Sequence, residues 1–351
     1  MAVTKAGRVL VVHGLHLEGV QLKWRDPGEP WRKKTTGTVA RGALLQNSGT
    51  GDWTASIATA RDGKGKEHAW VVWSGWSATG AREAQMRRLS RLNSRNGPKV
   101  GPVVTLAPEG TAGVTGNAKI DIAFEKAPSG GRRGVVTWQR RTGASSWEIV
   151  TTWFTKLGTN EPSFHHLSSL FSGSSFSTVS TLAPSPTGMD VVVRTADGHL
   201  GLFRHDADDA LTSWTAAPVG VAIGSDAKPS AVTLKNGDTL AVGESGGVVT
   251  IQRWSPSDPL DQQILGYRDP AITSNGTVAW IVMVRDSDDK VVARKLTGEI
   301  LGSDRVVVGG AGGNHEWPSV PSATSTHLRV LVRGPAYDDN QTSVLFGQRR
   351  V

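Results

Sequence analysis

Apolar residues recur in short runs with a period of two along almost the whole chain. Examples are Arg8-Val-Leu-Val-Val-His13, Ala69-Trp-Val-Val-Trp73, Gly134-Val-Val-Thr-Trp138 and Met189-Asp-Val-Val-Val-Arg194. Leu240-Ala-Val-Gly243, Val278-Ala-Trp-Ile-Val-Met-Val284 and Leu328-Arg-Val-Leu-Val-Arg333 continue the set. Short runs rich in Val, Ile and Trp fit a pleated, largely buried surface, so each predicts a β-strand. Between them stand Asp62-Gly63, Asp197-Gly198, Asn236-Gly237 and Asn275-Gly276. These pairs tolerate the positive φ angles of tight hairpin turns. No stretch of about ten residues reads clearly as an amphipathic helix. Ala81–Leu92 comes nearest and reads equally as a basic strand, while Ser163–Phe176 reads as a long loop with a short helical turn.

The hairpins repeat. Ser230-Ala-Val-Thr-Leu, Asn236-Gly237 and Thr239-Leu-Ala-Val form one strand–turn–strand unit, and Pro270-Ala-Ile-Thr, Asn275-Gly276 and Thr277–Val284 form another. Ser180-Thr-Leu-Ala with Asp190–Arg194, and Pro318-Ser-Val-Pro-Ser-Ala with Leu328–Arg333, follow the same plan. A third strand follows in Val248–Trp254, Leu200–Arg204 and Val291–Lys295. A spacing of about 40–65 residues with four short antiparallel strands per unit is the propeller signature. The expectation is an all-β chain folded as a single closed β-propeller over residues 1–351. It has six or seven blades of four-stranded antiparallel sheets. The first unit reads as short of its opening strand and the last of its fourth, so the ring is expected to close by pairing of the N- and C-terminal strands.

Composition narrows the chemistry. The chain has 351 residues, 42 glycines, 13 tryptophans, 2 tyrosines and no cysteine. The missing thiols exclude disulfides, thiolate metal sites and a cysteine nucleophile. No apolar run approaches the length of about 18 residues that a membrane-spanning helix needs. The opening Met1-Ala-Val-Thr-Lys-Ala-Gly7 is not read as a signal peptide. The net charge of +8 favours anionic partners, with the densest run at Arg82, Arg87, Arg88, Arg91, Arg95 and Lys99. Charged sheet edges that block aggregation would place the same residues there.

The units resemble the degenerate repeats of the sialidase-like (BNR, Asp-box) propeller superfamily. Gly7-Arg-Val-Leu-Val-Val-His13 followed by Val20-Gln-Leu-Lys-Trp24 keeps that rhythm, as does His68–Trp73 followed by Gln85–Ser90. The Asp box itself is broken: Arg141–Trp147 keeps Gly and Trp without Asp, and His205–Trp214 keeps Asp and Trp without Gly. The latter segment is also similar to repeats of bacterial propeller lectins, and degenerate propellers of this kind occur in phage tail proteins. What the resemblance implies for catalysis is a Tyr–Glu nucleophile pair with arginines and an Asp. Here the only such grouping is Tyr267-Arg268-Asp269-Pro270, with Glu316 or Glu244 as the partner carboxylate. Arg25-Asp26-Pro27 repeats the tripeptide in a turn, which makes Arg-Asp-Pro an ordinary strand-boundary sequence. The carboxylate pair that glycoside hydrolysis requires is incomplete.

Metal and cofactor motifs are missing. His13-Gly-Leu-His16 and His165-His166 lack a third ligand, and Asp206–Asp209 and Asp286–Lys290 lack the glycine and terminal glutamate of a calcium loop. The tryptophans divide in two. Trp70, Trp73, Trp138, Trp214, Trp254 and Trp280 lie in or beside strands and are expected in the core. Trp31, Trp53, Trp76, Trp153 and Trp317 fall near strand ends, where an exposed ring stacks on a sugar; closing a hairpin would place them equally well. The leading reading is a non-enzymatic propeller that binds a cell-surface polysaccharide, or other virion or assembly proteins, on a virion or extracellular surface. Nucleic acid is not an expected partner. A glycoside hydrolase and a purely structural assembly module are the alternatives.

Overall fold

The computed structural model describes residues 2–15, 19–26, 35–40, 54–76, 82–107, 116–127, 130–143, 146–173, 180–195, 197–206, 214–224, 229–255, 260–308, 316–323, 327–333 and 344–350. These are strands and turns, and no helix occurs among them. Sheet 1 is β1 (Ala2–Val3), β2 (Val9–Leu15), β3 (Gly19–Arg25) and β4 (Thr35–Ala40). Sheet 2 is β5 (Thr54–Arg61), β6 (Glu67–Trp76), β7 (Arg82–Ser90) and β8 (Lys99–Val100), with β9 (Val104–Ala107) also on β7. Sheet 3 is β10 (Gly116–Lys126), β11 (Arg132–Arg141), β12 (Trp147–Thr155) and β13 (Ser163–Gly173). Sheet 4 is β14 (Ser180–Pro184), β15 (Gly188–Arg194), β16 (Leu200–Asp206) and β17 (Thr215–Ala216). Sheet 5 is β18 (Ser230–Thr233), β19 (Thr239–Ser245), β20 (Val248–Trp254) and β21 (Leu260–Leu265). Sheet 6 is β22 (Tyr267–Ser274), β23 (Ala279–Arg285), β24 (Val291–Thr297) and β25 (Ile300–Leu301), with β26 (Arg305–Val308) also on β24. The last sheet is β27 (Glu316–Ala323), β28 (His327–Arg333) and β29 (Val344–Arg350).

The chain is thus a β-propeller of six antiparallel sheets of four or five strands, followed by a three-stranded sheet. Each terminal sheet is drawn from one contiguous stretch rather than from both ends. The opening strand that the sequence seemed to lack is β1, which pairs Ala2 with Leu10 and Val3 with Val9 across its own turn. Closing so short a loop costs little entropy, which favours the local partner. Ser163–Gly173, expected as a loop, is the fourth strand of its sheet and pairs with Trp147–Thr155. As an edge strand with one neighbour it tolerates the serines that hid it. Arg82–Ser90 is a strand and not a helix.

The described residues form two compact units. Unit 1 is Met1–Leu182 with His205–Trp214, and unit 2 is Ala183–Arg204 with Thr215–Val351. In unit 1, Ile57, Ala69, Val71, Trp73 and Leu89 pack with Leu10, Val20 and Leu22 of the first sheet. The opposite face of the same strands, with Trp70, Val72 and Met86, packs on Ile122, Val136, Trp138 and Phe154. That is the period-two pattern buried on both faces. Gly134 is required here, because a Cβ would lie 2.3 Å from the Phe154 ring. In unit 2, Val192, Leu200 and Leu202 meet Ala241 and Trp254. Val242, Val249 and Ile251 meet Tyr267, Ile281 and Met283, and Trp280 and Val282 meet Leu328 and Val330.

Candidate functional site

Tyr267 is a buried, doubly hydrogen-bonded phenol. Its side chain is 7% exposed and belongs to the apolar layer between the fifth and sixth sheets. Its hydroxyl donates to Asp304 Oδ2 at 2.8 Å and accepts from Arg294 Nη2 at 2.8 Å, with the Arg294 guanidinium over its ring. Burial and the Asp304 carboxylate raise the phenol pKa, so the nucleophilic phenolate is suppressed. Arg268 reaches Asp286 at 2.9 Å and Asp289 at 2.5 Å. Asp269 takes φ 50°, and its amide donates to Glu244 Oε2 at 2.6 Å. Arg285 binds both Asp288 and Asp304. Asp286–Asp289 is therefore an ion-paired hairpin tip that clamps the start of β22. Glu316 opens β27, opposite Arg333, in the neighbouring sheet.

Of the five tryptophans expected near strand ends, three lie among the described residues. Trp31 and Trp53 lie outside the described residues. Trp76 ends β6 opposite Arg82, and Trp317 is the second residue of β27. Trp153, on β12, is flanked by Arg133 of β11, 5.0 Å from its ring centroid, and by His165 of β13, stacked at 3.9 Å.

Two buried polar clusters escaped the sequence reading. Glu125 and Arg133 face each other across β10 and β11, with Arg133 Nε donating to Glu125 Oε1 and Arg133 Nη2 3.0 Å from His205 Nε2. Burial raises the Glu125 carboxyl despite Arg133. In unit 2, Asp190 is fully buried and accepts from Arg204, Thr233 and Thr239. A lone Asp inside Met189-Asp-Val-Val-Val was the available signal, since a charge in an otherwise apolar strand needs partners. Among the described residues no three His, Asp or Glu side chains gather in a way that could hold a metal ion.

The candidate site lies at one end of unit 1, where the first-to-second-strand hairpins turn. A concavity of about 390 Å³ is lined by Lys5, Ala6, Arg61, Gly65, Glu67 and Asn93. Hydrogen bonds hold the first and second sheets together there: the Lys5 amide donates to Glu67 Oε1 at 2.7 Å, the Thr4 hydroxyl to Asn93 Oδ1 at 3.3 Å, and Arg8 to the carbonyls of Leu92 and Ser94. The β5–β6 turn is shaped by Asp62, which accepts from the Lys64 and Lys66 amides and from buried His68. Gly97, at φ 88°, lets the Trp24 ring pack where a Cβ would stand and so fixes the β7–β8 loop beside the concavity. The third sheet joins this end through Arg88, which donates to the Gly158 carbonyl and, at 3.0 Å, to Asn160 Oδ1.

This end is cationic. Arg61, Lys64 and Lys66 are exposed on the second hairpin, and Arg91, Arg95 and Lys99 on the β7–β8 connection. Lys126, Arg132 and Lys156 are exposed at the matching end of the third sheet. Burial by itself would raise the Asp62 carboxyl, but the His68 and amide hydrogen bonds prevail and hold it below its ordinary value of 3.8. A lowered folded value means that the carboxylate stabilises the fold above the unfolded pKa and that this is lost as pH falls through the folded value. Asp62→Asn is therefore expected to cost about 1 kcal/mol at neutral pH. The difference from the parent should begin to shrink as pH falls below the ordinary value of 3.8 and close only below the lowered folded value, as read in denaturation series across that range.

No protein-family model matches the chain, and no curated protein matches it in sequence. Solved structures do match in fold. An ulvan lyase of a polysaccharide lyase family, bound to a GlcA(1-4)Rha3S unit, aligns over 98% of this chain and 90% of its own, with a TM-score of 0.60 and 12% identity. AofleA from Arthrobotrys oligospora aligns over 99% and 92%, with a TM-score of 0.52 and 8% identity. The Aleuria aurantia lectin, a six-bladed β-propeller with a fucose recognition mode, aligns over 86% and 92%, with a TM-score of 0.51 and 11% identity. At these identities the likeness is one of fold.

Proposed function

We propose that this chain is a non-enzymatic β-propeller that binds a cell-surface glycan. The observation that carries the reading is the concavity at the hairpin end of unit 1. It sets the cations Lys5 and Arg61 beside the acceptor Glu67 and the amide Asn93. Sugar hydroxyls both donate and accept, and a mixed lining of this kind serves both. Lectin and lyase neighbours that handle saccharides on the same fold support it. Exposed large apolar side chains are few among the described residues, including Val103 and Phe164 in unit 1, which gives the assembly reading less support. Trp31, Trp53, Trp76, Trp153 and Trp317 are proposed as further sugar platforms. Kinship with sialidase-like propellers and a place on a phage tail, virion or other extracellular surface belong to the same proposal and rest on the strand rhythm and composition.

The test is the full chain on an array of neutral and acidic surface glycans. Saturable binding without product release is expected, weakened about tenfold by Arg61→Ala. Turnover of a bound glycan would return the question to Tyr267, Arg268, Asp269 and Glu316. Failure to bind any glycan would remove the reading.

A further inference from the structure

The cations at the hairpin end of unit 1 extend well beyond the concavity. We infer that this end binds an anionic polysaccharide, one carrying carboxylate or sulfate groups along its length. This deepens the glycan-binding reading and rests on it.

The cationic surface is continuous across three sheets. Lys5 and Arg8 tie the first sheet to the second, and Arg88 ties the second to the third. Among the described residues none of Lys5, Arg61, Lys64 and Lys66 forms an ion pair, nor do Arg91, Arg95 and Lys99, nor Lys126, Arg132 and Lys156. At the other end of the third sheet the cations are engaged. Arg140 pairs with Glu148 at 2.5 Å, and Arg141 lies over the Trp147 ring and donates to the Gly143 carbonyl. In unit 2 the first turns of the fourth and sixth sheets, Pro184–Gly188 and Ser274–Thr277, carry no charge, and that of the fifth, Leu234–Asp238, carries Lys235 and Asp238. Among the described residues of unit 2, exposed Lys235, Lys295 and Arg305 are likewise without an ion pair, so what distinguishes the hairpin end of unit 1 is the number of such cations gathered at one end of three sheets.

Screening limits each exposed cation to partners within about 8 Å at physiological salt, so the surface favours a ligand that touches many of them at once. That ligand is a polymer. The same end carries Glu67 in the concavity and exposed Glu161 on the β12–β13 turn. Carboxylates there repel a phosphodiester backbone, which has few donors to offer in return. A polysaccharide supplies hydroxyl donors to them between its anionic groups. A saccharide therefore suits the mixed surface better than a nucleic acid does.

The test titrates the full chain with polygalacturonate, dextran sulfate, neutral dextran and double-stranded DNA at about 50 and 200 mM salt. Binding of polygalacturonate or dextran sulfate, absence of dextran binding, and a loss of about tenfold between the two salts are expected. The variant Lys126→Glu/Arg132→Glu/Lys156→Glu, outside the concavity, should weaken the polyanion about tenfold with its thermal melt unchanged. Full affinity in that variant, salt-independent binding, or tighter binding of DNA would each overturn the inference. Salt-insensitive binding of a neutral glycan that Arg61→Ala weakens would overturn it while leaving the glycan-binding reading in place. Silence of every glycan would remove both.

Discussion

Replacing Asp190 with alanine is expected to cost about 3 kcal/mol of stability, read as a lower denaturation midpoint. The carboxylate is fully buried on β15 and is the shared acceptor for Arg204 of its own sheet and for Thr233 and Thr239 of the next. Burial raises its pKa and the bonds from Thr239, Arg204 and Thr233 oppose that rise. Alanine leaves the Thr239 hydroxyl, itself buried, without its acceptor and strands a guanidinium that is 36% exposed on its side chain. That partial exposure keeps the cost below that of a wholly buried charge. Asp190→Asn keeps the shape and one acceptor oxygen, so it should recover about half of the loss. If alanine cost under about 1 kcal/mol, the carboxylate would not be what joins these two sheets.

Trp70→Ala is expected to be the more damaging change, at about 3–5 kcal/mol. Trp70 is 0% exposed and meets Phe154 edge-to-face at 5.1 Å, within the layer between the second and third sheets. Deleting the indole opens a cavity that β-sheets, fixed by their hydrogen-bond ladders, cannot close. Trp70→Phe separates volume from polarity. The Trp70 Nε1 is buried without a hydrogen-bond partner among the described residues. Phenylalanine therefore removes no bond and should cost only about 1 kcal/mol. Equal losses for the two variants in urea titrations would mean that the cavity is not the cause.

The strands were legible because their signal is local. Ala69–Trp73 lies within β6, Gly134–Trp138 within β11 and Leu328–Arg333 within β28. Trp70, Trp73, Trp138, Trp254 and Trp280 are buried as their alternating neighbours imply. Ser163–Gly173 was missed because an edge strand buries little and so needs no apolar period. The Arg82–Lys99 run was legible as charge but not as a surface. Arg82 lies opposite Trp76 at one end of the sheet, Arg88 bridges to the third sheet at the other, and Arg91, Arg95 and Lys99 are exposed at that same cationic end. Tyr267-Arg268-Asp269 looked like a site because its residue types are catalytic elsewhere. Asp304, 37 residues away along the chain, is what occupies the Tyr267 hydroxyl.

By itself, then, the sequence determined an all-β repeat, its hairpin turns, and the exclusion of thiol chemistry. Period-two burial and the φ demands of Asn-Gly and Asp-Gly turns act between residues close in the chain, and a reader of the chain sees both. Only the tertiary structure decided where charge is neutralised and where it is left open. Asp190 is matched to Thr239 across 49 residues, and Arg88 to Asn160 across 72, while Lys5 and Arg61 meet around one concavity without an ion pair. Electrostatic partners are chosen by distance in space. That distance is set when blades stack, and no local pattern encodes it.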